Sequence, residues 1–290
     1  MYRFRCRTCG GSIACCPSIV RKETHLTSAT TQEPQTLLLR HHLKTLRLPV
    51  MLGEYAKLSR EAAQKDESYE SYLLKLSELE VNQRGANAIM SRLKNASFPV
   101  LKDLETFDFT LAPQISRQKV LELSRCEWIE QKSNLCCVGN SRTGKTHLAV
   151  ALGQAACRVG KRVKFYTAQG LVNQLEEAQK QYRLERMLTA LSKIELLIVD
   201  ELGYISFSRS GAELLFQVFA DRYERGSILI TSNLPFGEWG SIFQGDRMTA
   251  ALLDRLTHRC TIFEMNGESY RFRESVKASK SPKEKKAQEV

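Results

Sequence analysis

Leu135-Cys136-Cys137-Val138-Gly139-Asn140-Ser141-Arg142-Thr143-Gly144-Lys145-Thr146-His147 runs from a short apolar segment through G-x-x-x-x-G-K-[ST] into a helical pattern. A strand feeding a glycine loop that opens a helix is a phosphate cradle. Backbone N–H groups of the loop and the positive end of the helix face polyphosphate oxygens, Lys145 adds a mobile cation, and Thr146 offers a hydroxyl to Mg²⁺. The stretch predicts an ATP or GTP site built from Gly139, Asn140, Ser141, Arg142, Thr143, Gly144, Lys145, Thr146 and His147.

Downstream, Leu196-Leu197-Ile198-Val199 runs apolar into Asp200 and Glu201, the pattern of a buried parallel strand ending at the ligand edge of a sheet. Asp200 is expected to hold Mg²⁺ opposite Thr146, and Glu201 to orient and polarise the attacking water. An acid placed to activate water favours hydrolysis over transfer to another acceptor. Ser227 to Asn233 reads as a further strand; Asn233 either reaches the γ-phosphate or the water, or simply turns the chain before Leu234-Pro235. Arg255 and Arg259 lie four residues apart on one face of a helix end. They either solvate that terminus or are offered to a neighbouring subunit's ATP.

These residues resemble the IstB-like branch of the AAA+ ATPases, the ATP-binding helper proteins of insertion sequences, which are close to bacterial replicative helicase loaders. The resemblance spans roughly Thr36 to Arg273 and rests on Gly139 to Ala149, Ile198 to Tyr204, Thr231 to Trp239 and Asn266 to Arg271. It implies that Asn233 senses the γ-phosphate and that Arg259, with Arg255 beside it, is the trans-acting arginine. It also implies an ATPase that assembles as a homo-oligomer, binds duplex DNA largely without sequence preference and stimulates a separate transposase; the alternative is a replicative helicase as partner. The family's loop usually reads Gly-Pro-Pro-Gly where this chain has Gly139-Asn140-Ser141-Arg142. Arg142 either adds a phosphate contact or crowds the cradle, which keeps open a third reading, a protein that binds ATP without hydrolysing it.

Periodicity predicts strands at 134–138, 163–167, 195–199, 227–232 and 260–265, with helices at 145–159, 168–179, 185–193, 209–225 and 248–258. Five strands alternating with helices imply an α/β fold, a parallel sheet covered on both faces in three layers; the resemblance implies that it is of the AAA+ P-loop kind. The carboxyl-terminal helical lid of many such proteins is expected to be reduced or absent, leaving Arg271 and Arg273 only as nearby cations. A helix over 116–131 capped by Ser116 precedes the first strand. Residues 96–115 read as a linker in which Phe107 and Phe109 meet either the adenine ring or the sheet. Residues 36–95 read as a small all-helical domain carrying Arg40, Lys44, Arg47, Lys57, Arg60, Arg84, Arg92 and Lys94, a candidate surface for duplex DNA. The ATPase domain is expected over 116–275, a disordered extension over 1–35 and a basic tail over 276–290.

The 290 residues carry a net charge of +11, and 42% of them are hydrophobic, enough for one large core and a smaller domain. Part of the positive charge falls in the two tails, which weakens it as an argument for nucleic acid. No apolar run approaches the ~20 residues a bilayer requires, and no secretory signal is evident, so a cytoplasmic location without membrane partner is expected. Of the nine cysteines, Cys126, Cys136, Cys137, Cys157 and Cys260 fall in predicted elements as buried thiols. Cys6, Cys9, Cys15 and Cys16, with His25, either begin a zinc knuckle or belong to a disordered extension.

Overall fold

Alternation at period two sends Leu135 and Cys137 to one face of a sheet and Cys136 and Val138 to the other, and in the computed structural model both faces are covered by helices. Residues 34–109, 112–243 and 245–266 are described; the predicted extension with its cysteines, the basic tail, Arg271 and Arg273, and the segment in which a lid would fall lie outside them.

The chain divides into two compact units, one ending at Glu80 and the other beginning at Val81. The first contains α1 (Pro34–Thr45), α2 (Pro49–Gln64) and the start of α3 (Tyr69–Ala96), so the division falls inside a helix. Pro49 stops the preceding run and opens α2, whose first N–H groups have no helical partner. The buried carboxylate of Glu80 accepts from two of them, Val50 N at 2.9 Å and Met51 N at 3.2 Å.

The second unit opens on the rest of α3, where Ala96 is buried and the Arg92 guanidinium donates to Cys157 O at 2.8 Å. Arg92 is therefore tied to the body, while Arg84 and Lys94 are exposed. The expected single helix at 116–131 is two, α4 (Arg117–Ser124) and α5 (Glu127–Glu130). Cys126 between them takes φ 64°, a break that turns Trp128 and Ile129 into the core. Ser116 caps α4 as expected, accepting from Lys119 N at 3.4 Å.

The sheet comprises β1 (Asn134–Val138), β2 (Val163–Thr167), β3 (Leu196–Leu202), β4 (Ser227–Ser232) and β5 (Cys260–Glu264), all parallel in the order β2-β3-β4-β1-β5. On one face α4, α5 and α6 (Lys145–Arg158) pack against Leu135, Cys137, Ile198 and Leu229. The opposite face carries α7 (Ala168–Lys180), α8 (Leu184–Ser192), α9 (Arg209–Arg222), α10 (Gly240–Phe243) and α11 (Asp246–Thr257), over Cys136, Val199 and Ile230. Burial on both faces explains the apolar runs of the central strands β1, β3 and β4, whereas the edge strands β2 and β5 are only partly buried and mix polar residues in.

One departure from the expected strands matters for the site. β3 does not end at Val199 but continues through Asp200 and Glu201 to Leu202. Val199 pairs with Ile230 and Leu202 with Ser232, so Asp200 and Glu201 together oppose Thr231. This is a β-bulge, and Glu201 takes φ 61° within it.

Candidate functional site

The carboxyl ends of β1, β4 and β3 lie side by side, which brings Gly139, Asn233 and Asp200 to one edge of the sheet. Gly139 (φ 142°) starts the loop with its N–H bonded to Ser232 O at 3.2 Å. A Cβ there would stand 2.4 Å from Met265 O, so the loop can leave β1 only through a glycine. Gly144 (φ 94°) closes the loop, with Phe107 3.1 Å from where its Cβ would be. Phe107 is buried and packs edge-on to Phe109 at 4.9 Å, so Phe107 joins the core against the loop and Phe109 packs partly buried beside it.

Asn140, Ser141 and Arg142 form the exposed outer turn, while Thr143 is buried with its hydroxyl on Asn140 O at 2.9 Å. Arg142 sits at φ 67°, a conformation natural to glycine. The resemblance places a glycine there, so the departure at this residue is also a backbone departure. α6 then begins, its own ladder opening with Leu148 N–H to Gly144 O at 3.0 Å, and the N–H groups of Lys145, Thr146 and His147 stay outside it. The His147 ring turns away, 3.0 Å from Asp103 O and edge-on to Phe107. Only its backbone is placed to serve the loop.

Lys145 is 6% exposed and its ammonium donates to Gly139 O at 2.8 Å and Asn140 O at 2.6 Å. Burial lowers its pKa. The Thr146 hydroxyl faces both Asp200 oxygens, at 2.9 Å and 3.0 Å. Asp200 is buried, and burial raises its pKa against the opposing pull of the Thr231 and Thr146 hydroxyls and of Lys145. A desolvated ammonium inside a glycine loop and a desolvated carboxylate under a threonine hydroxyl together form a donor set that suits a triphosphate with Mg²⁺, which keeps water ligands and takes few protein oxygens. Among the described residues, no three His, Cys, Asp or Glu side chains gather into a metal site.

Thr231, which sequence reasoning passed over, is the joint of this site. Its hydroxyl donates to Asp200 Oδ1 at 2.5 Å and accepts from Glu201 N at 2.9 Å. Only the polar Thr231-Ser232 pair at the end of an otherwise apolar strand hinted at it. Glu201 is exposed and borders a cavity with Thr167, Gln169, Tyr204, Ile205 and Phe207. Asn233 is half-buried at the same edge. Behind it, Trp239 is fully buried, donates to Leu234 O at 3.2 Å and packs on Phe236 and Phe243, which anchors the turn.

Arg255 and Arg259 are not brought to this edge. Both are exposed beside Asn134 at the amino end of β1, one strand length, roughly 16 Å, from the loop. The cysteines in the core are free thiols; burial pushes Cys126 and Cys157 up to about 11 and Cys137 to about 12, so they act as apolar filling. No helix among the described residues is long and apolar enough to cross a membrane.

Strand order, two covered faces and a glycine loop between β1 and α6 define an α/β protein with the AAA+ fold. The chain is similar to a crystallised DNA replication initiation factor, 20% identical, with a TM-score of 0.50 over 61% of this chain and 53% of that one. Residues 41–278 match the model of the IstB-like ATP binding proteins, and the chain belongs to that family. It is 40% identical to the insertion sequence IS5376 ATP-binding protein of Geobacillus stearothermophilus, over 79% of this chain and 91% of that protein. It is also 40% identical to the insertion sequence IS21 ATP-binding protein of Pseudomonas aeruginosa, over 81% and 89%.

Proposed function

We propose that the chain is a Mg²⁺-dependent ATPase that assembles with ATP on duplex DNA and stimulates the transposase of an insertion sequence, with hydrolysis driving disassembly. The observation that carries the ATPase reading is the alignment of Lys145, Thr146 and Asp200 under one glycine loop, beside an exposed Glu201. The insertion-sequence names of its relatives support the transposase as partner. The net charge of +11 and the exposed Arg40, Lys44, Lys57 and Arg60 of the helical unit support a phosphate-backbone contact, and free buried thiols suit the reducing cytoplasm.

In this reading Lys145 exchanges its two loop carbonyls for phosphate oxygens, and the loop N–H groups hold the rest of the triphosphate. Thr146 and Asp200 hold the magnesium ion, which supplies positive charge against the phosphate oxygens. Glu201 accepts the proton of the water whose oxygen forms a bond to the γ-phosphorus as the bond to the bridging oxygen breaks. Asn233 orients that water or the γ-phosphate. Arg255 and Arg259, too far from their own loop, face the triphosphate of the next subunit and balance its charge.

Replacing Glu201 by Gln separates the parts of this account. The variant keeps ATP binding, ATP-dependent assembly and DNA retention but loses turnover, read by size and DNA retention with ATP, ADP or neither at two salt concentrations. Retention falls steeply with salt if phosphates carry it. A Glu201→Gln protein with normal turnover, or wild type whose size ignores ATP, refutes the reading.

A further inference from the structure

The amino end of β1 carries a set of contacts that the nucleotide site does not use. Asn134 is 9% exposed, and one main-chain and two side-chain hydrogen bonds tie it to neighbouring elements. Its N–H donates to Arg259 O at 2.7 Å, its Nδ2 to Leu256 O at 3.1 Å, and its Oδ1 accepts from Ile228 N at 3.0 Å. The first two fix the end of α11 and the residue that leads into β5; the third fixes the start of β4. The stretch held in this way presents Arg255 and Arg259, which line a cavity of about 80 Å³ with Lys132, Tyr223, Glu224 and His258. Lys132, Arg255 and Arg259 outnumber the single carboxylate of Glu224 in that lining, which makes it electropositive. Tyr223 approaches His258 Nδ1 at 3.4 Å, and the Arg255 guanidinium lies 5.9 Å from the centre of the Phe216 ring.

An arginine that completes another subunit's site must be placed from its own subunit, and a displacement of about 1 Å costs on the order of 100-fold in rate. We propose that Asn134 is a positioning residue for this arginine edge: its side chain ties Leu256 at the end of α11 to the start of β4, and this tie, added to the main-chain bond on Arg259 O that any residue would keep, sets where Arg255 and Arg259 meet the neighbouring triphosphate. β1 runs without interruption from Asn134 to the loop at Gly139, so a single buried strand carries the clamp at one end and the phosphate cradle at the other. The inference rests on the trans-acting role proposed for the arginines.

A role in folding alone and a role in positioning differ in mixed assemblies. Asn134→Ala, or the isosteric Asn134→Asp, which keeps an acceptor for Ile228 N–H if the alanine variant fails to fold, retains ATP binding. Its turnover number falls by about tenfold or more with KM little changed. Mixing it with Glu201→Gln subunits, which have an intact arginine edge and a dead site, restores turnover, because the intact edge now serves the intact site of the Asn134 variant. Arg259→Ala mixed with Glu201→Gln is the reference. If the reference pair recovers and the Asn134 pair does not, or if folded Asn134 variants turn over normally, the positioning role is overturned. If the reference pair also fails, the trans arrangement falls and the inference with it.

Discussion

Thr231 holds Asp200 from the neighbouring strand, its Oγ1 donating to Asp200 Oδ1 at 2.5 Å while Oγ1 itself accepts the N–H of Glu201 at 2.9 Å. One side chain thereby closes the bulge that lets two consecutive acids serve different purposes, Asp200 inward and Glu201 outward. Thr231→Val keeps the shape and removes the hydroxyl. It should cost about 1–3 kcal/mol of stability, since a bulge N–H and a buried carboxylate lose a partner. ATPase turnover should fall about tenfold or more while ATP affinity stays within a few-fold; urea unfolding, steady-state kinetics and titration calorimetry read the three. Unchanged turnover would show that the bulge does not depend on this hydroxyl.

Arg142 stands at φ 67° in the exposed turn of the loop. A non-glycine residue there costs about 1–2 kcal/mol. Arg142→Gly is therefore expected to raise stability by about 1 kcal/mol in urea, despite glycine's greater freedom in the unfolded chain. A loss of stability would mean that the guanidinium makes contacts worth more than the backbone strain.

Burial raises the pKa of Asp200. The folded chain then binds this proton more tightly than the unfolded chain, so the stability of the nucleotide-free protein declines as pH rises from the ordinary carboxylate range through the raised value. Above that window the penalty stays. Asp200→Asn should raise the melting temperature at neutral pH, with the gain shrinking as pH is lowered through the window, and should abolish the magnesium dependence of ATP binding. A gain independent of pH, or none, would contradict the account.

Much of this was legible in the chain. Three of the five strands, β1, β2 and β4, have the residue limits that periodicity predicts: β1 and β4 as buried apolar runs, and β2 by its alternation of buried and half-exposed residues at the sheet edge. The grouping of Gly139, Asp200 and Asn233 follows from parallel topology alone. What was not legible depends on partners distant in sequence. The bulge at Asp200-Glu201 exists because of its pairing with β4, and the break at Cys126 because Trp128 and Ile129 both seek the core. The His147 ring could not be assigned without its neighbours at 103–107, and Asn134 looks like an ordinary strand start until Leu256 and Ile228 come to it.

The run Thr231 to Trp239 is one of the four stretches on which the family resemblance rests, and its physical content is an anchored turn. Trp239 is wholly buried behind Asn233, with its indole N–H on Leu234 O. Trp239→Ala should cost about 3–5 kcal/mol. At temperatures where the variant is still folded, turnover should fall more than ATP affinity, because Asn233 loses its support while Lys145 does not. Thermal melting and kinetics on the same preparation decide this, and a variant with wild-type turnover would detach Asn233 from the reaction.

The central claim is that a triphosphate and its magnesium ion sit on Lys145, Thr146 and Asp200. Titration calorimetry of ATP into the folded protein, with and without Mg²⁺ and against Lys145→Ala, tests it most directly. The account predicts magnesium-dependent binding that the Lys145 variant loses by about 100-fold or more, the removal of a buried charge-assisted contact. Equal binding by wild type and Lys145→Ala, or uptake indifferent to magnesium, would contradict it.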